Sequence, residues 1–428
     1  AAPLPWGAMR PPGLSTRSAL ALAALIGLSA VLDRPAVVDV RTGLPPADAV
    51  LVRPPAYVLL SPVAAVLDSL SLLALSQHIA LLLSVLVAFG LWRWRRRPAH
   101  RTWGRALLVE PAATLGCLAV LVGIYAVMTF VPRPVPRLEV LDPDLLVVDF
   151  HSHTEHSHDV GPRYPVEWNR RVHVRGGFDA AFLTDHGGWD GIPEALASNP
   201  ATAGEGFVLL VGSELWLGRE NTLALGDSLT YRPRLDSLGI RILPERGAPP
   251  EGTRPTLLLT LPARRPAEAV GWSPDEPWGL VGLEVNDASP KGLEQGRGER
   301  ALLLAVAERE DLALVSGSNN HGAGQTAAAW TLLRIPGWRD RSPAELERTI
   351  ADRLHRERAG ATRVIERTLP FPRPWAAVAL TALTWPWHVL ASLSQTERLV
   401  WLLYGTGLWA VGSIRTRRGA GPDRPLRG

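Results

Sequence analysis

Four histidines crowd into eight positions of "VVDFHSHTEHSHDVG" (147–161): His151, His153, His156 and His158. The 428-residue chain has only eleven. His151 and His153 follow an apolar run at a spacing of two, which puts both side chains on one side of an extended strand. Glu155 and Asp159 share the following turn. Other short apolar runs also end in chemistry-bearing residues. Asp185 and His186 close "FDAAFLTDH", Glu214 closes "FVLLVGSE", and Asn319, Asn320 and His321 close "LALVSGSNNHG". Imidazole and carboxylate converging from successive strand tips are the usual means of holding Zn, Mn or Fe ions. Singly, each signal has an ordinary explanation, since His beside Asp is often a satisfied core pair and a lone glutamate can cap a helix. Six of the eleven histidines lie within 151–186, and that concentration argues for a site.

In such a site Asp185 would orient a ligand histidine through its second ring nitrogen. His321 would serve as a ligand or as the acid that protonates a leaving group. Glu284 and Asp287, in "LEVND", end another run, and Glu284 reads as an outer, supporting acid. Arg219 and the pair Arg264-Arg265 follow strand ends and are candidates to clamp a phosphate, with a solvated surface as the competing reading.

The elements that must position these residues are short buried strands alternating with helix-compatible stretches. That is the layout of an α/β barrel, whose active site lies in the loops after the strands. The barrel is expected over 147–365, behind a proline-rich linker at 136–146. An N-terminal membrane region of about three helices (1–135) precedes it, and C-terminal membrane-associated helices (366–428) follow. Within the N-terminal region, Ala19–Leu32 reads as an uncleaved signal anchor with Met9 as the start. Ser69–Trp92 and Pro111–Val131 read as spans. Arginines at 93, 95, 96, 97, 101 and 105 separate them; such a loop stays cytoplasmic, which puts the barrel on the extracytoplasmic side. The tail segments Trp375–Leu393 and Leu399–Ile414 are short, so a spanning hairpin competes with interfacial helices. If both crossed, the "RTRR" that follows would break the charge rule. The net charge of +4 comes from arginine beside apolar segments, with Lys291 the only lysine, which makes a nucleic-acid partner unlikely on composition. The single cysteine, Cys117, excludes a disulfide within the chain.

"DFHSHTEHSHD", "FDAAFLTDH", "LLVGSE" and "VSGSNNHG", in that order and spacing, resemble the motifs of the polymerase and histidinol phosphatase (PHP) family. The resemblance covers about 147–325 and implies a distorted seven-stranded α/β barrel with a two- or three-metal site that hydrolyses phosphoesters. It implies ligand roles for His151, His153, His158, His186, Glu214, Asn319 and His321. Two positions depart from the family pattern. Leu261-Pro262 stands where the family has His-Pro, and Asn319 stands where it has an aspartate. One ligand and one negative charge are thereby lost, so one or two divalent transition ions are expected. The resulting reading is a membrane-anchored, metal-dependent phosphoesterase acting on a phosphorylated small molecule or an envelope-linked substrate. The alternatives are a catalytically silent, membrane-attached binding module and a metal-dependent hydrolase of C–N bonds.

Overall fold

The computed structural model describes residues 14–31, 34–96, 103–161, 164–186, 189–217, 220–226, 256–264, 280–322, 326–369 and 375–419. Arg219 and Arg265 lie outside these residues. The strands are β1 (Val37–Asp39), β2 (Ala49–Val52), β3 (Arg137–Val140), β4 (Leu145–Ser152), β5 (Ala180–Leu183), β6 (Val208–Leu217), β7 (Glu220–Leu225), β8 (Thr256–Leu259), β9 (Leu280–Asp287), β10 (Ala313–Gly317), β11 (Ala329–Arg334) and β12 (Arg363–Arg367). Ten of them form one sheet in the order β1-β12-β11-β4-β5-β6-β7-β8-β9-β10, and β2 pairs with β3. The pairs β4–β5, β5–β6, β8–β9 and β9–β10 are parallel; the other five in the sheet are antiparallel.

The sheet curls until its far end meets its middle. Leaving β10, Asn319 N–H donates to the His151 carbonyl at 2.8 Å, and His153 N–H donates to the Asn320 carbonyl at 3.3 Å. The result is a strongly curled mixed half-barrel, which corrects the expected seven-stranded β/α barrel. Strands β4 and β9 are buried along their whole length, and a strand covered on both faces reads the same whether its neighbour is parallel or antiparallel.

Inside the curl, Phe150 stacks on Phe182 at 5.2 Å among Leu146, Val148, Leu210, Leu258 and Val315. The helix Pro343–Glu357 adds Leu346, Ile350 and Leu354, spaced by four so that all share one face. It starts on a capping box between Ser342 and Glu345. The helices Val166–Gly176 and Ile192–Ala197 cover one outer face, and Arg300–Arg309 covers another.

Two helical segments, Leu75–Arg95 and Val109–Phe130, are long and apolar enough to cross a membrane by length and composition. Both lie between β2 and β3 in the chain, so the expectation of spanning helices at the N- and C-termini is corrected. Thr16–Val31 has 16 residues, which at ~1.5 Å per residue falls short of a ~30 Å hydrocarbon core. The segment Trp375–Leu393 breaks into Trp375–Val378 and Thr381–Ser392, while Gln395–Gly419 carries Glu397, Arg398 and the terminal arginines. The stretch expected as a linker contributes β3, and β1, from the expected membrane region, pairs with β12.

A buried hydrogen bond fixes the closure. His173, on the helix Val166–Gly176, lies 2.6 Å from Asp149 Oδ2 on β4, with both side chains 1% exposed. Asp149 Oδ1 accepts the amides of His151 and Ser318, each at 3.0 Å, so one carboxylate grips both closing segments. Burial pushes this carboxyl up, but the bond and charge of His173, with those amides, outweigh it and hold it below its ordinary value. A depressed folded pKa means the contribution is present above about pH 4 and is lost as pH falls through the folded value. Asp149→Asn is expected to destabilise the full chain by about 3 kcal/mol in urea unfolding near neutral pH. The deficit should shrink in acid; a variant as stable as wild type would contradict this role.

Candidate metal centre

The site gathers on one oxygen. Glu214 Oε2, on β6, lies 3.0 Å from His151 Nε2, 3.3 Å from His153 Nε2 and 3.2 Å from His186 Nε2. His151 and His153 come from the end of β4, where their Nε2 atoms approach to 3.0 Å. His186 follows β5 and forms a parallel bridge with Glu214. Three adjacent parallel strands therefore deliver the four side chains from the same edge. Space for them depends on Gly317, because a Cβ at that position would collide with Glu284 Oε1 and the His151 Cβ.

A second tier surrounds them. Asp159 lies 2.9 Å from His321 Nε2 and 3.3 Å from His186 Nε2, and takes the Ser157 hydroxyl at 2.7 Å. On the other side, Glu284 Oε1 faces His151 Nδ1 at 3.0 Å, while its Oε2 accepts the Leu261 amide at 2.8 Å. Three donor sets each fall within 4.8 Å: His151, His153 and Glu214; His153, His186 and His321; and His151, Glu284 and Asp287.

The donors suit a small cation. Tetrahedral ligands at ~2.0–2.1 Å from an ion stand ~3.4 Å apart, close to the separations around Glu214. Two ring nitrogens facing at 3.0 Å cannot both carry protons. His153 Nδ1 and Asn319 Oδ1 are buried without a hydrogen-bond partner among the described residues. Burial pushes His153 down to about 3 despite its bond to Glu214, so its imidazole is neutral, as a ligand must be. Burial disfavours charge on His151 as well, but Glu284 and Glu214 together raise it well above the ordinary imidazole value. Burial would raise Glu214, yet His151 and His153 hold it far below the carboxylate range. Asp287 is pushed up to about 7 by burial and by Glu284.

The other sequence candidates fall around this centre. His158 is exposed, with its ring 5.1 Å from that of His186, and belongs to none of the three donor sets. Its neighbour Asp159 reaches inward instead. Asp185 accepts the amide and hydroxyl of Thr154 at 2.6 and 2.7 Å, and stands 3.9 Å from His153 Nδ1, beyond a hydrogen bond. Asn319 adopts a left-handed φ of 41° and donates its side-chain amide to Asp287 at 2.9 Å. The Leu261 side chain packs in the outer apolar cluster with Leu259, Leu283 and Val285. The Arg264 guanidinium lies over the Trp216 ring at 5.2 Å. The sequence reading missed the tie between Asp149 and His173, because 24 residues separate partners that only the fold brings together.

No protein-family model and no curated protein matches the chain. Solved structures give distant likenesses. PsfC from Pseudomonas syringae is 18% identical with a TM-score of 0.32, over 56% of this chain and 96% of that one. A two-domain protein from Bacteroides vulgatus, with a PHP-like metal-dependent phosphoesterase assigned by prediction, is 14% identical with a TM-score of 0.31, over 52% and 65%. An amidohydrolase from Chromobacterium violaceum is 17% identical with a TM-score of 0.28, over 55% and 96%.

Glu284 and Glu214 favour the protonated form of His151, whose Nδ1 faces Glu284 and whose Nε2 faces Glu214. A cation held by His151 would have to displace a proton from the ring. Affinity for Zn or Mn is therefore expected to rise about tenfold per pH unit below the folded pKa of His151. Calorimetry in buffers of different ionisation enthalpy should register about one proton released per ion; release of none would contradict the assignment.

Proposed function

We propose that this protein is a membrane-anchored, metal-dependent phosphoesterase. The observation that carries the reading is the Glu214 centre, where one carboxylate oxygen meets three imidazole nitrogens at ion-binding separations. His151, His153, His186 and Glu214 would hold one or two divalent transition ions, with Asn319 Oδ1 as a further donor. When bound, such an ion polarises a phosphoryl oxygen and lowers the pKa of water. The rest falls to the chain. Glu284 fixes the ring of His151, and the Leu261 amide fixes Glu284. His321, 28% exposed and paired with Asp159, stands on the open side and can present a proton at Nε2 to a leaving oxygen. The substrate would be a phosphorylated small molecule or an envelope-linked phosphoester.

The membrane part of the reading rests on the two apolar helices. They are mostly exposed, with 17% and 6% of their apolar windows buried, unlike the core helices of a soluble protein. At their near ends Met128 packs with Leu67, Leu70 and Leu73, and Tyr125 meets His78 at 2.7 Å. Arg93 meets Glu110 at 3.1 Å at the opposite end of this antiparallel pair, just before the arginine-rich connection in the sequence. A cytoplasmic connection then puts the half-barrel on the extracytoplasmic side.

A silent binding module is the second reading. It is favoured by position 261, whose side chain points into the apolar cluster and supplies no ligand. Metal analysis and a phosphoester screen of the full chain under Zn, Mn and Fe separate the two. The enzyme reading expects turnover, with His151→Ala plus His153→Ala losing the metal. Asn319→Asp would set a second carboxylate against Asp287, and is expected to lower the rate by about 10- to 100-fold. Metal bound with no turnover in wild type, and turnover gained in Asn319→Asp with Leu261→His, would establish the module instead.

Sidedness has its own test. In a Cys117→Ser background, Ala99→Cys should resist an impermeant maleimide in intact cells, and Glu308→Cys should react. The reverse pattern would put the half-barrel in the cytoplasm.

A further inference from the structure

The strand ends that carry the metal centre lie on the same edge of the half-barrel as the apolar helices. Strand β4 ends in the histidines and runs antiparallel to β11, which runs antiparallel to β12. The end of β4, the start of β11 and the end of β12 therefore share one edge. Several ties to the helical layer are made from that edge. Arg367, ending β12, binds Asp68 at 2.5 Å, and Leu369 packs with Met128, Leu70 and Leu73. Ala328, before β11, and Ala288, just past the tip of β9, pack with Leu72 and Ala74 at the entrance to Leu75–Arg95. Glu294 accepts the Ser76 amide at 2.8 Å, and Arg297 donates to the Leu72 carbonyl at 2.8 Å. Five residues beyond His321, Thr326 accepts from Arg133, which follows the helix ending at Phe130.

The open side of the centre is made by the partly exposed His186, His321 and Asp159. His321 follows β10 in the chain, as does Thr326, which is tied to the segment leaving the apolar pair. A cavity at the same junction is lined by Arg34, Arg53 and Arg367, of which Arg53 pairs with Glu397 at 2.8 Å and Arg367 with Asp68.

Resting on the phosphoesterase reading, we infer that the substrate is a phosphoester carried by a lipid, presented to the metal centre at the bilayer surface. A soluble phosphate would have no need of a catalytic edge packed against the membrane helices. A lipid-borne one is held near the rim by its own tail, which raises its effective concentration.

The test uses the full chain in nanodiscs, loaded with Mn or Zn. Phosphatidic acid and phosphatidylglycerol are compared with glycerol 3-phosphate and glycerophosphoglycerol, their soluble counterparts. At least one lipid should exceed its counterpart in kcat/KM by about 100-fold. Glu294→Ala, which loosens the junction without touching the centre, should cut that ratio at least about tenfold and leave soluble turnover unchanged. Thr326→Val gives an independent second disturbance of the rim. Soluble esters hydrolysed as well as lipids would overturn the inference and leave the phosphoesterase standing. No hydrolysis of any of the four by the metal-loaded wild type would remove both.

Discussion

A carboxylate taken out of water must be repaid by charge and hydrogen bonds, and at Glu214 the repayment comes from three imidazoles at once. The side chain is 3% exposed, and its Oε2 is the shared neighbour of His151, His153 and His186. An uncompensated buried charge costs several kcal/mol, so the three rings cannot be left to loop chance. Parallel pairing solves this, because β4, β5 and β6 end on one edge with their tips side by side. Curling then brings β9 and β10 around to close the far wall with Glu284 and Gly317. Asp149 holds the two closing backbones together beneath the rings. The glycine is obligatory there: a single methyl would occupy the space where Glu284 meets His151.

The two positions that differ from the pattern the sequence resembles, Leu261 and Asn319, find physical reasons in the same wall. At Leu261 the backbone contributes, its amide fixing the carboxylate that orients His151, while the side chain fills the outer core. Asn319 is complementary to Asp287. Its amide donates to a buried acid already pushed up by Glu284. An aspartate at 319 would add a third carboxylate to that pocket, and at least one would have to keep a proton. The missing charge is therefore matched by Glu284 and Asp287, which the sequence placed at a strand end without saying which way they faced.

What was legible in the sequence were features carried by local pattern. The i, i+2 histidines, the "TDH" tip and the glutamate of "VGSE" all sit on short apolar runs, and they meet. What depended on non-local pairing was hidden. The strands β7, β11 and β12 return antiparallel, and nothing in "ENTLAL" or "RVIER" distinguishes that from a parallel crossover. His158 and Asp159 are adjacent, and only the path of the turn decides that Asp159 faces His186 and His321. Hydropathy placed the two central apolar helices well. It overestimated the terminal ones, since an apolar stretch of 16 residues can equally pack on neighbours, as Ile26 does with Tyr57, Ala64 and Leu390.

The antiparallel return of β11 and β12 also explains how helical segments before β3 and after β12 gather on one side. Strand β12 brings the chain back to the edge from which β4 points its histidines, so the segment that follows begins beside the helices that came before. The two parts are then sewn together. Val37–Asp39 pairs with β12, and Ala49–Val52 pairs with Arg137–Val140, which packs Leu138 beneath Val147 and Phe178. Cutting the chain before β4 would strip β12 of its outer neighbour and leave its edge open to pairing with other chains. It would also uncover the apolar patch around Leu138. The half-barrel and its helical base are therefore a single folding problem.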